Sequence, residues 1–554
     1  MPNLSQVKRQ RMLSFLEKIK EEHKNDDDVL IALGEIQNEL TSKKYGLVWE
    51  QHEEKVDIDM QTKIPVFTEV KEREISIAPD EPFNFLLEGD NLHSLYLLEK
   101  THKGKIDLIY IDPPYNTGNR DFTYDDRFVD SNDGFRHSKW LSFLAVRLKI
   151  AASLLSRQGA IFISIDSNEF AQLKMLCDDI FNENNFIGTL IWRKKSGGGQ
   201  TDEFFVTEHE YVLGYRKSSD FKWIEFQKEV DLEDFKYEDA KGKYNIVRLE
   251  KWGSSAHKED RPTMYFSIKD PEGNDFFPIA PDGKDGRWRV GAERLQRLIN
   301  DNQIYWNKDK KANRWIPYEK VYFDKGKTKL LKSRSILYDI AETGTATKLL
   351  TSIFQKKDVF NNPKPVELIK FLLQHTKPNI VLDFFAGSGT TAQAVIEYNE
   401  EEKKNSKFIV CTNNENDICD NVTYPRIKTI ITGMRADGSK YSNGISANLK
   451  YYRTNFISRN EEYLSDALLE YMIEMIQLEH GVKIDGSNYI MLMCDEEADE
   501  LEKSWKNYPN VKALYVSKNV LFTTEQCDLF AGIDIYIIPD YYFNFELKEV
   551  GESW

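Results

Sequence analysis

The chain has 554 residues, of which 40% are hydrophobic and 30% are charged, and its formal net charge is −16. This composition is ordinary for a soluble protein, and the length predicts about three or four domains. No stretch approaches the length of a membrane span, and the first residues lack the apolar core of a signal peptide, so we expect a cytoplasmic protein. The five cysteines form no C-x-x-C pair. We therefore predict neither a disulfide framework nor a metal site.

The N-terminal part of the chain has apolar residues at helical spacing. Residues 1–45 are predicted to form a helical arm, which either packs on its own domain or binds a partner. Residues 46–80 show at most weak strand character. Strands and helices then alternate up to residue 217, which predicts a mostly parallel sheet with helices on both faces, the doubly wound α/β class. The predicted strands of this part are 85–88, 106–111, 160–165, 187–192 and 204–215.

The strand–helix alternation stops after residue 217 and resumes at residue 336. Residues 218–335 are polar, aromatic and basic, and are predicted to form an inserted domain. Residues 336–440 are predicted to form the second half of the sheet, with strands at 380–382 and 408–411. Residues 441–554 have a helix and three short strands of their own, and we expect a small, separate α/β unit.

The first chemical motif is Asp112-Pro113-Pro114-Tyr115, directly after the predicted strand 106–111. Two prolines remove two N–H donors, so we expect a carboxylate, unpaired carbonyl oxygens and an aromatic ring to meet at the carboxyl end of a buried strand. Open α/β sheets bind their ligands there. The exocyclic amine of a nucleobase is a poor nucleophile, and Asp112 with the Pro113 carbonyl could accept its two hydrogens while Tyr115 stacks on the base. A capping Asp on a rigid turn is the alternative interpretation.

The second chemical motif is a glycine-rich turn, Asp383–Thr391, between a predicted strand and a predicted helix. Gly387 and Gly389 allow the backbone to approach a ligand closely, and the helix N-terminus offers N–H groups. The spacing also satisfies the G-x-G-x-x-A pattern of a dinucleotide site. Against that interpretation, an acidic residue precedes the turn, and the next strand ends in Thr412-Asn413-Asn414-Glu415 without a clear acid for a ribose.

Together, D-P-P-Y and D-F-F-A-G-S-G-T-T resemble the two signature motifs of amino-methylating DNA methyltransferases. Their order, with the catalytic motif first and an insert between, resembles the β class, in which the methyltransferase sheet is circularly permuted. The segments D-P-P-Y-N-T-G-N, I-S-I-D-S-N-E, W-R-K-K-S-G-G-G and N-N-P-K-P-V-E-L-I resemble the modification (Mod) subunit of type III restriction–modification systems. This resemblance covers roughly residues 80–440. It implies a Rossmann-like, S-adenosylmethionine-dependent fold with an inserted target-recognition domain.

The resemblance also implies roles for individual residues. Asp112, Pro113, Pro114 and Tyr115 would act on N6 of a flipped adenine, since a Ser often replaces the Asp in enzymes that act on cytosine N4. Relatives often carry an acid at the position of Thr412, so the ribose ligand is open. The residues expected to bind S-adenosylmethionine are Asp383, Phe384, Phe385, Ala386, Gly387, Ser388, Gly389, Lys364, Pro365, Asp90, Asn413 and Asn414.

Basic residues are concentrated within the predicted insert. The segment 308–334 holds ten basic and three acidic residues, a local charge of +7 that could follow DNA phosphates. The predicted insert 218–335 holds five tryptophans, and we expect most of them to form its core. The residues predicted to contact DNA are Arg193, Lys194, Lys195, Lys310, Lys311, Arg314, Lys327 and Lys329.

The resemblance implies double-stranded DNA as substrate and a homodimer as the assembly. The chain has no G-x-x-x-x-G-K-[ST] motif, so cleavage of DNA would need a separate, ATP-dependent restriction subunit. Three alternatives stay open: a cytosine-N4 DNA methyltransferase, a catalytically silent DNA-binding specificity module and, more distantly, an NAD-dependent oxidoreductase.

Overall fold

The computed structural model describes residues 4–24, 26–41, 49–50, 52, 54–79, 81–118, 122–124, 127–130, 132–197, 204–229, 231–309, 314–324, 328–539 and 542–552. The strands are β1 (Lys63–Glu69), β2 (Phe83–Glu88), β3 (Ile106–Ile111), β4 (Thr123–Tyr124), β5 (Arg127–Phe128), β6 (Leu155–Ile165), β7 (Phe186–Arg193), β8 (His209–Arg216), β9 (Phe226–Glu229), β10 (Tyr237–Asp239), β11 (Gly242–Arg248), β12 (Ile268–Lys269), β13 (Asp275–Phe276), β14 (Ile304–Asp309), β15 (Arg314–Tyr322), β16 (Thr328–Leu331), β17 (Ile336–Leu337), β18 (Ile380–Asp383), β19 (Lys407–Thr412), β20 (Asn448–Ser458), β21 (Tyr489–Leu492), β22 (Ala513–Val516) and β23 (Asp534–Ile537). The helices are α1 (Leu4–Glu22), α2 (Asp27–Thr41), α3 (Lys55–Thr62), α4 (Asn91–His102), α5 (Arg136–Leu154), α6 (Phe170–Phe181), α7 (Ala292–Asn300), α8 (Thr343–Phe354), α9 (Val366–Thr376), α10 (Thr390–Glu402), α11 (Tyr424–Thr432), α12 (Leu464–Leu469), α13 (Met472–His480), α14 (Asp495–Ser504), α15 (Thr524–Leu529) and α16 (Asn544–Glu549).

A ten-stranded sheet in the order β1-β20-β2-β19-β18-β3-β6-β8-β7-β17 forms the centre of the larger part of the chain. The pairs β1–β20, β6–β8 and β7–β8 are antiparallel, and the others are parallel. β3 from the first half of the chain lies beside β18 from the second half. The two sequence segments that carry the motifs are therefore neighbours in one sheet, as the permuted order predicts.

Helices cover both faces of this sheet. Ile109 and Ile111 of β3 belong to the core formed with α4, α5 and α6, whereas Leu108 and Tyr110 belong to the core formed with α9, α10 and α11. A strand with apolar residues on both sides needs such a cover on each face, because an exposed row of Ile and Leu would stay in contact with water. The doubly wound α/β class predicted from the sequence is confirmed.

The C-terminal part is not the separate unit that we expected beyond residue 440. β20 lies inside the main sheet, antiparallel to β1 and parallel to β2. All six residues of β2 are buried, so this strand needs a neighbour on each side, and β20 supplies one of them. Among the described residues of this part, the sheet β21-β22-β23 has a small core of its own. The segment 46–80, for which we expected at most weak strand character, holds the strand β1 and also the helix α3, which the sequence did not predict.

A second compact unit comprises Glu225–Ser333. Its four-stranded antiparallel sheet has the order β10-β11-β15-β14, and α7 packs Leu295 and Leu298 into a core around the fully buried Trp288. Trp223 stands outside this unit and stacks on His375 of the larger unit, with ring centroids 4.6 Å apart. The insert therefore begins near residue 225 rather than at 218. None of the helices that the structure describes has the length and apolar content needed to cross a bilayer.

Candidate active site

The two predicted motifs lie at the same edge of the main sheet. Val381 and Leu382 of β18 pair in parallel with Leu108 and Ile109 of β3. Asp383 ends β18, and Asp112 follows directly after β3. The chain leaves these two strands for opposite sides of the sheet, since β18 has β19 as its other neighbour and β3 has β6. This is a topological switch point, where the carboxyl ends of the strands open a crevice for ligands.

Asp112 is the centre of a cluster of hydrogen-bonded charged groups. Its Oδ1 accepts a hydrogen bond from the Tyr115 hydroxyl at 2.9 Å, and its Oδ2 accepts one from Lys364 Nζ at 2.9 Å. Glu210 stands behind both donors, with its Oε2 at 3.1 Å from the Tyr115 hydroxyl and 3.3 Å from Lys364 Nζ. Lys194 Nζ donates to the other oxygen of Glu210 at 3.1 Å. Two carboxylates and two ammonium groups thus balance each other.

The burial and charge of this cluster shift the ionisation of its members. Burial raises the pKa of Asp112, and Glu210 raises it further against the opposing effect of Lys364. Burial raises the pKa of Glu210 as well, but Lys364 and Lys194 outweigh it and hold that pKa below its usual value. Burial lowers the pKa of Lys364, but the two carboxylates raise it above the ordinary value. Lys364 therefore stays charged, and Asp112 is the more basic of the two acids.

Asp112 is the acid of the cluster that a substrate can reach. Its side chain keeps 27% of its surface exposed, whereas those of Lys364 and Glu210 keep 8% and 9%. Trp140 of α5 fixes the diproline turn, because its Nε1 donates a hydrogen bond to the Pro114 carbonyl at 2.7 Å. We expected unpaired carbonyls at both prolines, and for Pro114 this expectation is wrong. The acceptor role of the Pro113 carbonyl stays a prediction.

The glycine-rich turn has the shape of a ligand-binding turn. Gly387 and Gly389 have φ angles of 47° and 79°, values that favour glycine. A Cβ atom at Gly387 would lie 3.2 Å from Phe360 Cζ, and one at Gly389 would lie 3.3 Å from Thr423 Cγ2. Side chains at these positions would therefore both strain the backbone and fill the turn.

Asp383 is the buried acid at the start of this turn. Its oxygens accept hydrogen bonds from the Phe385 backbone N–H at 2.9 Å and from the Thr391 hydroxyl at 2.5 Å. Burial raises the pKa of Asp383 to about 7, although these two hydrogen bonds lower it, and the charge of Asp112 adds to the rise. A buried carboxylate of this kind gains from a cationic ligand, so the residues present fit a cofactor that carries positive charge.

Arg426 of α11 fixes the turn and was not found from the sequence. This buried guanidinium donates to the Ser388 carbonyl at 3.1 Å, to the Ser388 hydroxyl at 3.0 Å and to the Thr390 hydroxyl at 2.9 Å. Its Nε donates to Gln393 at 2.7 Å. Burial lowers the pKa of Arg426 to about 10. A single Arg after a Pro in a helix carries no sequence signal for this contact.

Lys364 connects the two motifs. Its ammonium group pairs with Asp112, while its backbone carbonyl accepts a hydrogen bond from the Thr390 hydroxyl at 3.3 Å. Pro365 follows as the N-cap of α9. The sequence predicted Lys364 as a cofactor contact, which stays a prediction, and the structure adds that its side chain belongs to the Asp112 cluster.

Asp90 and its neighbours have structural partners. The Asp90 carboxylate caps α4 by accepting from the Leu92 N–H at 2.8 Å, and the buried Arg147 lies 3.4 Å from it. Asn91 donates to the Phe384 carbonyl at 2.9 Å, which ties this strand end to the glycine-rich turn. Asp90 thus lies beside the turn, and its predicted contact with the cofactor stays a prediction.

The two asparagines expected at the cofactor ribose have partners in the segment that follows β19. Asn414 and Asp420 share two hydrogen bonds. Asn414 Nδ2 donates to the Asp420 carboxylate at 2.9 Å, and the Asp420 backbone N–H donates to Asn414 Oδ1 at 3.1 Å. Asn413 is exposed, and its Nδ2 lies 3.5 Å from Glu415 Oε2. Neither side chain is brought to Asp383 by these contacts, so the ribose ligand is still open.

The predicted DNA contacts separate into several groups. Arg314 is bound within the insert, where it pairs with the buried Glu250 and lies over the Phe276 ring, so we withdraw it as a DNA contact. Lys194 belongs to the Asp112 cluster, and Arg193 lies 3.3 Å from Glu342. The Lys195 backbone donates to the Glu208 carbonyl. Lys310, Lys311 and Lys327 lie outside the described residues, and Lys329 is part of β16.

Glu210 is the most important site residue that sequence reasoning missed. It is the second residue of β8 and pairs across the sheet with Trp192. A signal was present, because Glu210 precedes the apolar run of a predicted strand, where an acid needs a partner when it is buried. The partner itself could not be predicted, since Lys364 and Tyr115 are brought there only by the fold.

Comparison with known proteins agrees with this geometry. A family model for DNA methylases of the N6/N4 type matches residues 106–423, a span that includes both motifs. The Type II methyltransferase M.KpnI of Klebsiella pneumoniae is 34% identical over 385 residues, which are 66% of this chain and 87% of that protein. The chain belongs to the N6/N4 DNA methylase family. The class inferred from the two motifs is thereby confirmed.

Two further relatives are larger proteins. The Type III restriction-modification enzyme StyLTI Mod subunit of Salmonella typhimurium is 30% identical over 443 residues, which are 70% of this chain and 64% of that subunit. The Type III restriction-modification enzyme EcoPI Mod subunit of Escherichia phage P1 is 33% identical over 378 residues, which are 60% of this chain and 58% of that subunit. The chain thus matches somewhat less than two thirds of the length of these relatives.

Proposed function

We propose that this protein transfers a methyl group from S-adenosylmethionine to N6 of an adenine in duplex DNA. The observation that carries the proposal is the position of Asp112, a partly exposed acid of raised pKa on the strand beside the glycine-rich turn of Asp383. An amine acceptor and a cofactor-binding turn then share one crevice, which holds both reactants close together.

The cofactor would lie against the glycine-rich turn. Asp383, Gly387 and Gly389 supply a buried carboxylate and a turn without side chains, and Phe384, Phe385, Ala386 and Ser388 complete this segment. S-adenosylmethionine, when bound, supplies an electrophilic methyl group on a positively charged sulfur. Pro365, which caps α9, and Asp90, beside the turn, are the further cofactor contacts of this proposal.

Asp112 and the Pro113 carbonyl would accept the two hydrogens of the N6 amine. These contacts draw the nitrogen lone pair out of the ring and orient it for attack. The raised pKa of Asp112 also makes it a competent acceptor for the proton that N6 gives up. Tyr115 would stack on the base, which has to leave the duplex because its N6 is otherwise out of reach. An acid at position 112 favours adenine N6 over cytosine N4.

We further propose that the insert, 225–333, recognises the target sequence. The insert is a compact unit with its own core. Its Trp252 is exposed, and the guanidinium carbon of Arg248 lies 4.1 Å from the centroid of the Trp252 ring. An exposed aromatic with a cationic neighbour suits stacking on nucleic acid better than core packing. Lys195 and Lys329 are further candidates for phosphate contacts.

The protein would serve as the modification and specificity subunit of a type III restriction–modification system in the cytoplasm. Two of the relatives are named as Mod subunits, whereas M.KpnI is named as a type II methyltransferase. A homodimer and a separate ATP-dependent restriction subunit belong to this proposal. Co-purification of a nuclease subunit with the tagged chain from its own host tests it, and a chain that purifies alone and methylates alone would favour the type II assignment.

Transfer of tritiated methyl groups to duplex DNA tests the enzymatic proposal. Asp112→Ala is expected to lose transfer by at least about 10³-fold while its affinity for S-adenosylmethionine, measured by calorimetry, changes little, because Asp112 contacts the amine rather than the cofactor. The exposed Asp437→Ala serves as control and should equal the wild type. Unchanged transfer by Asp112→Ala would remove this residue from the mechanism, and inactivity of the wild type would favour a silent binding module.

A further inference from the structure

Both oxygens of Asp112 already have a hydrogen-bond donor. Tyr115 donates to Oδ1 and Lys364 donates to Oδ2, each at 2.9 Å. An amine that donates to either oxygen of Asp112 has to share that oxygen with one of these two donors. Each of the two donors has a second acceptor close by, since Glu210 Oε2 lies 3.1 Å from the Tyr115 hydroxyl and 3.3 Å from Lys364 Nζ. A small shift of either donor would exchange one carboxylate for the other.

We propose that Glu210 is a positioning residue that takes over the hydrogen bonds of Tyr115 and Lys364 when the adenine amine reaches Asp112. This inference rests on the proposed function. Glu210 itself does not meet the base, because its side chain is 9% exposed and lies behind the two donors. Lys194 holds its other oxygen at 3.1 Å, so the acceptor is fixed in place. Without it, Lys364 and Tyr115 would have Asp112 as their shared acceptor.

The charged and titratable groups around Asp112 come from several elements. Lys364 precedes α9, Glu210 lies on β8, Tyr110 lies on β3, and Tyr115 follows β3 on the diproline turn. Asp383, at the end of the neighbouring strand β18, also responds to the charge of Asp112. Among these groups, the charge of Glu210 raises the pKa of Asp112. Replacing Glu210 by a neutral residue is therefore expected to lower the pKa of Asp112.

The test is the pH profile of methyl transfer in a single turnover. Glu210→Gln removes the charge with little change of shape. We expect this variant to transfer methyl groups on the order of 10²-fold more slowly, because Asp112 and Tyr115 are then less well placed for the amine. We also expect the acid limb of its pH–rate profile to move to lower pH. Affinities for S-adenosylmethionine and for DNA are expected to stay within about twofold, because Glu210 touches neither.

Glu208→Gln is the matched control. This exposed residue carries the same charge two positions away on the approach to β8, and its variant should keep the wild-type rate and profile. Glu210→Asp keeps the charge but withdraws the acceptor, so we expect a slow rate with the acid limb in its wild-type position. This variant also serves if Glu210→Gln does not fold. A wild-type rate in either Glu210 variant would overturn the proposal.

Protein stability gives a readout that does not depend on activity. Lys364→Met leaves two buried carboxylates without their shared cation, so adding Glu210→Gln to it should raise the melting temperature again. A double variant that melts below Lys364→Met would contradict the shared-lysine arrangement. Inactivity of the wild type would instead refute the proposed function, and the two failures are thereby distinguished.

Discussion

The ammonium group of Lys364 lies 2.9 Å from Oδ2 of Asp112, although the two residues are 252 positions apart in the chain. The contact joins the segment before α9 to the diproline turn after β3, and Glu210 shares the same ammonium group at 3.3 Å. Lys364 is nearly buried, so its charge can be accommodated only with both acids present. Lys364 therefore joins the two segments that form the crevice, and its charge also lowers the pKa of Asp112.

Replacement of Lys364 tests this relationship. Lys364→Met is expected to lower the free energy of unfolding by about 3–5 kcal/mol, because it leaves Asp112 without its cation and Glu210 with Lys194 alone. Methyl transfer should fall as well, since the loss of Lys364 raises the pKa of Asp112 further and removes one of its two hydrogen-bond donors. Thermal melting and transfer assays measure both effects. Lys370→Met, which removes the lysine that pairs with Glu401 on α10, is the control and should leave transfer unchanged.

The buried Asp383 predicts a pH dependence of stability in the ligand-free protein. Its pKa is about 7 when folded, above the unfolded value, so its contribution is fully present below about pH 4 and is lost as the pH rises towards 7. The loss amounts to at most about 4 kcal/mol. Asp383→Asn should therefore melt above the wild type at pH 8, and the difference should vanish near pH 4. The same variant should bind S-adenosylmethionine at least tenfold more weakly, and equal melting at pH 8 would contradict this account of Asp383.

Arg426 offers a test of the cofactor turn that does not change the turn itself. Arg426→Lys keeps a positive charge but cannot reach Ser388, Thr390 and Gln393 together. We expect weaker binding of S-adenosylmethionine, by about tenfold or more, and a lower melting temperature. Lys428→Met on the exposed side of α11 is the matched control. Normal binding by Arg426→Lys would show that the turn keeps its shape without this residue.

Two of the tryptophans in the insert, Trp252 and Trp288, are expected to have different roles. Trp252 is 51% exposed, whereas Trp288 is fully buried. Trp252→Ala should weaken binding to the target duplex by roughly tenfold at an unchanged melting temperature, because base stacking is worth about 1–3 kcal/mol. Trp288→Ala should destabilise the insert by about 3–5 kcal/mol. Fluorescence anisotropy with labelled duplex measures the first effect, and unchanged affinity of Trp252→Ala would exclude it from the DNA interface.

Local features of this chain could be predicted from sequence, and contacts across the fold could not. The strand 106–111 was predicted with the bounds of β3, because its apolar residues and the prolines that follow define it locally. The prediction was wrong for 204–208, which precedes β8 and has exposed phenylalanines. The motifs of Asp112 and Asp383 are contiguous and were found.

The partners of these motifs were missed for one physical reason. Glu210, Arg426 and the side chain of Lys364 act through residues far away in the chain, and their spacing carries no period that a sequence pattern can show. Arg314 illustrates the converse error, because its charge suggested DNA while the fold pairs it with Glu250. Charge alone does not distinguish a residue that binds phosphate from one that neutralises a buried acid.

The most direct test of the proposed function is the mass of the methylated nucleoside. Duplex DNA is incubated with the full chain and S-adenosylmethionine that carries a deuterated methyl group, then digested and analysed by mass spectrometry. The proposed role of Asp112 predicts labelled N6-methyladenine as the product of the wild type and no labelled nucleoside from Asp112→Ala. Labelled N4-methylcytosine, or label that persists in Asp112→Ala, would contradict it.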